Sequence, residues 1–254
     1  MGIGINNTVG LNTVRNLSLI KRSLSKTMQR LSSGLKINQA SDGPAELVIS
    51  EQMWSQIGSL TQSVKNLEMN INRNNVADSA ITELRDKLKS IRTVALAAAN
   101  EGSATEETAA AYQQQLNDLV ESFNSQRNMA VFGEQQLLDG SNDSVADIDE
   151  LPELDVSDLE QAKNTITKID QAISHLDSEQ VKIGSMTKQE YESTIRSLEV
   201  SSQNLVAAES VIRNTDYALE QTNYIKQMIQ LNAGLATLAQ GNLVSESVYK
   251  LMHI

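Results

Sequence analysis

Apolar residues recur through most of this chain at steps of three and four. Val14, Leu17, Ile20, Leu24, Met28, Leu31 and Leu35 form the first run, and that spacing puts them on one face of a helix. Between them stand the basic residues Arg15, Lys21, Arg22, Lys26 and Arg30. Gly34 predicts a helix stop, and Asn38-Gln39-Ala40-Ser41-Asp42-Gly43-Pro44 predicts a loop. Ser41 or Asp42 is expected to cap the next helix, with Pro44 in its first turn.

A second helical pattern runs from Glu46 to about Asn100. Its stripe is Ile57, Leu60, Val64, Leu67 and Ile71, then Ile81, Leu84, Leu88 and Ile91, alternating as in a coiled-coil seam. Asn74 and Asp78 fall where the seam should be apolar, which reads as a local widening or a polar contact that sets register. At ~1.5 Å per residue this helix spans roughly 80 Å, and such a rod needs partner helices along its length. Asn100-Glu101-Gly102-Ser103 reads as a turn. A third helix is expected from about Glu106 to Ala130, with Leu116, Leu119, Phe123 and Met129 on one face, broken by Phe132-Gly133. From Asp139 to Asp158 the chain is acidic and contains Pro152, which predicts a solvated surface turn. Helical spacing resumes at Ile166, Ile169, Ile173, Leu176 and Ile183, and continues through Leu198, Leu205, Val211 and Ile212. A last stripe follows at Leu219, Tyr224, Met228, Leu231, Leu235 and Leu238. Strand-like alternation is not evident.

Composition sharpens this reading. Aromatic residues are only 3% of 254 and Pro occurs twice. Thin helical bundles do without large aromatic cores, and scarce Pro permits long helices. A net charge of −11 argues against nucleic acid and anionic membrane surfaces as partners. There is no cysteine, hence no disulfide framework and no thiolate chemistry. Met1-Gly2-Ile3-Gly4-Ile5 lacks the pattern of a classical signal peptide. Both ends of the chain carry apolar stripes outside any obvious globular body. Such stripes would be exposed in a lone monomer, so the termini are expected to pair with each other and with further copies.

The residues at the two ends carry a family resemblance. Arg30-Leu31-Ser32-Ser33-Gly34-Leu35-Lys36-Ile37-Asn38 closely resembles the N-terminal signature of bacterial flagellins, followed by a variant hinge, Ala40-Ser41-Asp42-Gly43-Pro44-Ala45. Asn204-Leu205-Val206-Ala207-Ala208-Glu209-Ser210-Val211-Ile212-Arg213-Asn214-Thr215-Asp216-Tyr217 is similar to the family's C-terminal motif, and Leu238-Ala239-Gln240-Gly241-Asn242 resembles its Leu-Ala-Gln-Ala-Asn. The resemblance runs from about Leu11 to Leu138 and from Thr165 to Leu251. Val244-Ser245-Glu246-Ser247-Val248-Tyr249 departs from the usual ending, and His253 and Ile254 extend beyond it. The strand-rich outer domains of most flagellins are missing, and so is the short hairpin usual in the outer part of the rod.

The resemblance implies an all-α fold: a long antiparallel helical bundle or coiled-coil rod domain, with an inner coiled-coil domain made from both termini. Residues 1–44 and 214–254 would form the inner core, 45–138 and 159–213 the rod, and 139–158 a short acidic outer turn. Leu17, Leu24, Leu31, Leu35, Leu231, Leu235 and Leu238 would drive inner-core self-assembly. Ile57, Leu60, Val64, Leu67, Leu88, Ile169, Ile173 and Leu205 would pack the rod helices. The implied function is a structural subunit that polymerises into an extracellular filament for motility. Implied partners are further copies, the type III flagellar export apparatus, an export chaperone, the filament cap and the hook-associated junction protein. The family's contact for the vertebrate innate flagellin receptor corresponds here to Ser90, Arg92 and Val94, with Thr93 between. Only Arg92 is kept, so receptor contact should be weak.

Other readings are a hook–filament junction protein built on the same helices, and a soluble coiled-coil adaptor or chaperone. An enzyme is disfavoured. His175 and His253 lie in different segments without ligand spacing, Ser32-Ser33-Gly34 follows no strand, and no phosphate loop is present. The acidic segment lacks calcium-loop ordering. No cofactor, metal or catalytic residue is expected. His175 is expected on the surface, and Trp54 at a subunit contact or in the core.

Overall fold

Long stretches of good helix formers, unbroken by Pro, become long helices. The computed structural model describes residues 8–101, 105–141 and 145–252. The readings made on Met1–Ile5, on the Gly102-Ser103 turn and on His253 and Ile254 lie outside the described residues. The elements are α1 (Thr8–Ser33), α2 (Pro44–Glu101), α3 (Glu106–Met129), β1 (Val131–Phe132), β2 (Gln135–Gln136), α4 (Leu159–Ser185), a π-helical turn (Met186–Tyr191), α5 (Glu192–Arg213) and α6 (Tyr217–Met252). They fall into two compact units, one of residues 1–59 with 202–254 and one of residues 60–201.

In the first unit α1 stops where expected. Gly34 takes φ +72° and its amide donates to the Arg30 carbonyl at 2.8 Å, a left-handed cap that suits glycine. The cap expected at Ser41 or Asp42 is not formed. Asp42 ends a 3₁₀ turn (Ala40–Asp42), and its carboxylate accepts from Lys26 Nζ at 2.9 Å and from the Asn38 amide. The α2 entry instead uses the Gly43 carbonyl, which accepts from the Leu47 amide, with Pro44 as first helical residue. α6 packs antiparallel on α1: Ser23 meets Gln227, and Arg30 meets Glu220. Gly234 lies inside α6 rather than at an end. A Cβ there would stand 2.7 Å from Leu17 Cδ2, so this glycine serves the close approach of the two helices.

In the second unit α2 has two antiparallel partners. Asn74, Asp78, Arg85 and Arg92 bond in turn to Thr187, Gln180, Asp177 and Asp170. On another side Glu83 and Lys87 bond to Gln126 and Ser122 of α3. Ile81, Leu84, Leu88 and Ile91 are buried against Leu116, Phe123, Ile169 and Leu176. The polar seam positions act as expected of a register-setting contact. Asn74 is buried and its Nδ2 donates to Thr187 Oγ1 at 2.9 Å.

Thr187 belongs to the π-helical turn, which the apolar spacing explains. After Ile183 the inward positions are Thr187, Tyr191 and Ile195, before threes and fours alternate again at Leu198, Ser202 and Leu205. Repeated steps of four exceed the 3.6 residues per turn of an α-helix. A π turn takes up the extra residue through i→i+5 bonding, seen in the Glu192 amide donating to the Thr187 carbonyl. The helix is thereby re-phased and α5 keeps its stripe inward.

Two expectations are corrected. A minimal hairpin exists: Val131 pairs with Gln136 and Phe132 with Gln135, with Gly133 at φ +66°. Nor is the acidic segment merely a solvated turn. Leu137, Leu138, Ala146, Ile148, Leu154 and Val156 are buried in the core, while Asp149, Glu150, Glu153 and Asp155 face solvent. Ala146-Asp147-Ile148-Asp149 and Leu154-Asp155-Val156-Ser157 alternate with period two, the signature of extended chain with one face buried. Acidic composition hid that alternation from the sequence reading. Residues 142–144 of this segment lie outside the described residues.

Candidate assembly surface

The Gly34 cap and the family-like stretch near residue 213 meet in one polar junction. The Lys36 amide donates to the Arg213 carbonyl at 2.7 Å, and the Thr215 amide to the Gly34 carbonyl at 2.9 Å, so Leu35 and Asn214 form an antiparallel bridge. Tyr217 closes over Gly34, where a Cβ would lie 3.1 Å from the phenol oxygen. Beside this bridge Glu209 is buried. Its Oε1 accepts from Ser50 Oγ at 3.0 Å and from Trp54 Nε1 at 3.2 Å, and Arg213 lies 4.0 Å away. Arg213 also reaches Glu51 at 3.3 Å. The hydrogen bond from Lys26, foremost, holds the Asp42 carboxyl below the usual carboxylate range. Asp216 then caps α6, accepting from the Ala218 and Leu219 amides. The segments after α1 and before α6 are thus tied to each other, to the head of α2 and to the end of α5. Sequence reading noted Glu209 and Arg213 only as motif letters. Their partners Ser50 and Trp54 are over 150 residues away.

Beyond the junction the helix pair α1–α6 is only half covered. Leu17 is 6% exposed, and Leu24, Leu31, Leu35, Leu231 and Leu238 are half-buried. Leu235 is 47% exposed, and Leu11, Leu19, Ile225, Ile229 and Leu243 are more exposed still. Trp54 is itself 55% exposed, neither a core residue nor a free one. Of the rod residues, Leu88 and Ile169 are fully buried, whereas Ile57, Leu60, Val64, Leu67, Ile173 and Leu205 are half-buried within the single chain.

Charge divides along the same lines. Residues 1–59 with 202–254 hold nine basic and seven acidic side chains, and residues 60–201 hold twelve and twenty-five. The unit with the uncovered apolar helices is therefore nearly neutral. Packing copies of it together costs little electrostatic repulsion, whereas the other unit repels its like.

The receptor-like stretch does not share one exposed face. Ser90 is exposed and its Oγ donates to the Asp86 carbonyl. Arg92 is ion-paired to Asp170 at 2.7 Å, whose hydrogen bond raises the guanidinium pKa further. Val94 is 9% exposed and packs in the core, so it cannot serve as a surface contact as expected. His175 is exposed, as expected.

Comparison with known proteins agrees with this geometry. The family model described as the bacterial flagellin N-terminal helical region matches residues 5–143, and that of the C-terminal helical region matches residues 166–252. The chain is 32% identical to the flagellin of Halalkalibacterium halodurans, covering 97% of this chain and 98% of the relative. It is 29% identical to the flagellin of Bacillus subtilis, covering 97% and 98%. It is 29% identical to the flagellar filament 33 kDa core protein of Treponema phagedenis, covering 94% and 95%.

Proposed function

The chain belongs to the bacterial flagellin family, and from that premise we propose how its parts serve the filament. Its function is that of a structural subunit which polymerises into the extracellular flagellar filament. The family is a structural one and not an enzyme family. The observation that carries the assignment of parts is the α1–α6 pair, which leaves Leu11, Leu19, Ile225, Ile229 and Leu235 exposed in one chain.

In this reading residues 1–44 and 214–254 form the inner core of the filament. Leu17, Leu24, Leu31, Leu35, Leu231, Leu235 and Leu238 pack there within and between copies. Leu17 is already buried in the single chain and most of the others are half-buried, so each gains only part of the ~1.5–3 kcal/mol that a fully exposed Leu gains on burial. The half-buried rod residues Ile57, Leu60, Val64, Leu67, Ile173 and Leu205 complete their burial against neighbouring rods, while Leu88 and Ile169 hold the single chain. Export through the type III flagellar route, an export chaperone, the filament cap and a hook-associated junction protein complete the set of partners. Ser90 and Arg92 offer the vertebrate flagellin receptor a weak contact, because Arg92 is already paired and the first arginine of the motif is absent.

Seeded elongation tests the assembly role. Full-length protein added to sheared filament seeds should elongate them. A chain ending at Gln230 should stay soluble, remain mostly helical and fail to elongate. Long filaments from the truncated chain would refute the assignment of α6 to the core.

A further inference from the structure

α1 is unusual in this acidic chain: it holds Arg15, Lys21, Arg22, Lys26 and Arg30 and no acidic residue. Two of these cations are used within the chain, Lys26 by Asp42 and Arg30 by Glu220. Arg15, Lys21 and Arg22 are exposed, with no ion pair among the described residues. Their placement on the helix is not random. The residues of α1 turned inward are Thr13, Leu17, Ile20, Leu24, Thr27 and Leu31. At 100° per residue the diametrically opposite line carries Leu11, Arg15, Leu19, Arg22 and Lys26. Leu11 and Leu19 on that line are 65% and 54% exposed. From Leu11 to Arg22 the face is therefore an alternating apolar and cationic stripe that the described residues leave uncovered.

We infer that this outward stripe of α1 docks on an acidic surface of a second copy, adding an electrostatic contact to the apolar packing of the filament. The inference rests on the filament reading above. Charge complementarity selects the occupant. The unit of residues 60–201 carries thirteen more acidic than basic side chains, and a homopolymer brings many such units close together. Acids in the unit of α1 are largely engaged already: Asp42 with Lys26, Glu220 with Arg30, Glu51 and Glu209 with Arg213, and Asp216 at the α6 cap. Neighbouring copies in a filament then offer the counter-charges. Exposed Leu11 and Leu19 flanking the guanidinium groups exclude water on closure, which strengthens the pairing. The stripe runs along one helix line, so it meets a partner different from itself. Such heterologous contacts extend into helical polymers instead of closing as dimers.

The test is elongation of wild-type seeds by Arg15→Glu/Arg22→Glu and by Arg15→Gln/Arg22→Gln subunits. Circular dichroism verifies helix content, and salt is varied from about 50 mM to about 500 mM, where the screening length falls several-fold. The Glu pair should elongate at least about tenfold more slowly than wild type and the Gln pair to an intermediate degree. Rising salt should slow wild type and leave the Gln pair unchanged. Wild-type rates from the Glu pair, or wild-type elongation indifferent to salt, would overturn the inference. So would binding of wild type to phosphatidylglycerol vesicles with elongation untouched by either variant, which would assign the stripe to a lipid surface. Failure of wild type itself to elongate would instead strike the filament reading.

Discussion

Gly34 shows how one residue without a side chain sets a junction. Its φ of +72° and its approach to Tyr217 both disfavour a Cβ, and the left-handed conformation alone costs an L-residue ~1–2 kcal/mol. Gly34→Ala should lower the local stability of the Leu35–Asn214 bridge by about that amount, read as faster amide exchange at Lys36 and Thr215. Unchanged exchange would mean the bridge does not depend on the glycine. Asn74 is the corresponding residue in the other unit. Asn74→Leu leaves Thr187 Oγ1 without its partner and should cost ~1–3 kcal/mol, seen as a lower urea midpoint with an unchanged slope. Asp155 links stability to pH. The Ser157 amide, bonded at 2.8 Å, holds its carboxyl below the usual carboxylate range. Its contribution is present above the unfolded-state pKa, near ~4, and is lost as pH falls through the lower folded value. Asp155→Asn should flatten the acid limb of the stability curve in that window and leave the curve at higher pH free of any new slope.

Among the elements, the segment from 139 to 158 departs most from its composition. Its first part is held by backbone bonds, from the Ala146 and Ile148 amides to the Leu137 and Leu138 carbonyls with an Asp139–Asp147 bridge, and the rest is docked by side chains. Gln113 donates to the Leu154 carbonyl and accepts from the Val156 amide at 2.8 and 2.9 Å. Asn124 bonds both ways to Leu151, Arg127 donates to the Ile148 carbonyl, and Thr165 Oγ1 to the Asp155 carbonyl at 2.8 Å. The two amides act as substitutes for a neighbouring strand, satisfying backbone groups that burial would otherwise leave bare. Gln113→Ala with Asn124→Ala should release the segment to limited proteolysis near Pro152 while α2, α3 and α4 remain helical. Resistance equal to wild type would show that the buried Ile148, Leu154 and Val156 hold it unaided. The π turn is likewise an element with a cause, one residue too many in the seam between Ile183 and Ile195. Its extra residue is offset by the Asn74–Thr187 bond at the same level.

At the scale of the molecule, charge and apolar surface are sorted. The terminal helices carry uncovered apolar faces in a nearly neutral unit, and the acidic excess lies in residues 60–201. Filaments of this chain should stay dispersed near neutral pH and bundle laterally as pH approaches the sequence pI of about 4.7, because surface repulsion then vanishes. Light scattering and negative-stain microscopy across that range give the answer; bundling that is equally strong at pH 7 and low salt would contradict it.

The sequence alone determined the run of long helices and the stop of α1 at Gly34. Steps of three and four, Gly34 and Pro44 are local signals, and a helix answers to local signals. It also determined that both ends bear apolar stripes. The tertiary structure decided what those signals could not carry. Asp42 left the capping role because Lys26, a neighbour only in space, takes its carboxylate. Glu209 became a buried anchor because Ser50 and Trp54 come from the far end of the chain. Val94 turned inward because α2 is flanked by helices on more than one side, which periodicity along one helix does not reveal. The acidic segment became part of the core because Leu137 and Leu138 pair with its first part and Gln113 and Asn124 with the rest, and a short alternating run is stable only where other groups supply the missing hydrogen bonds.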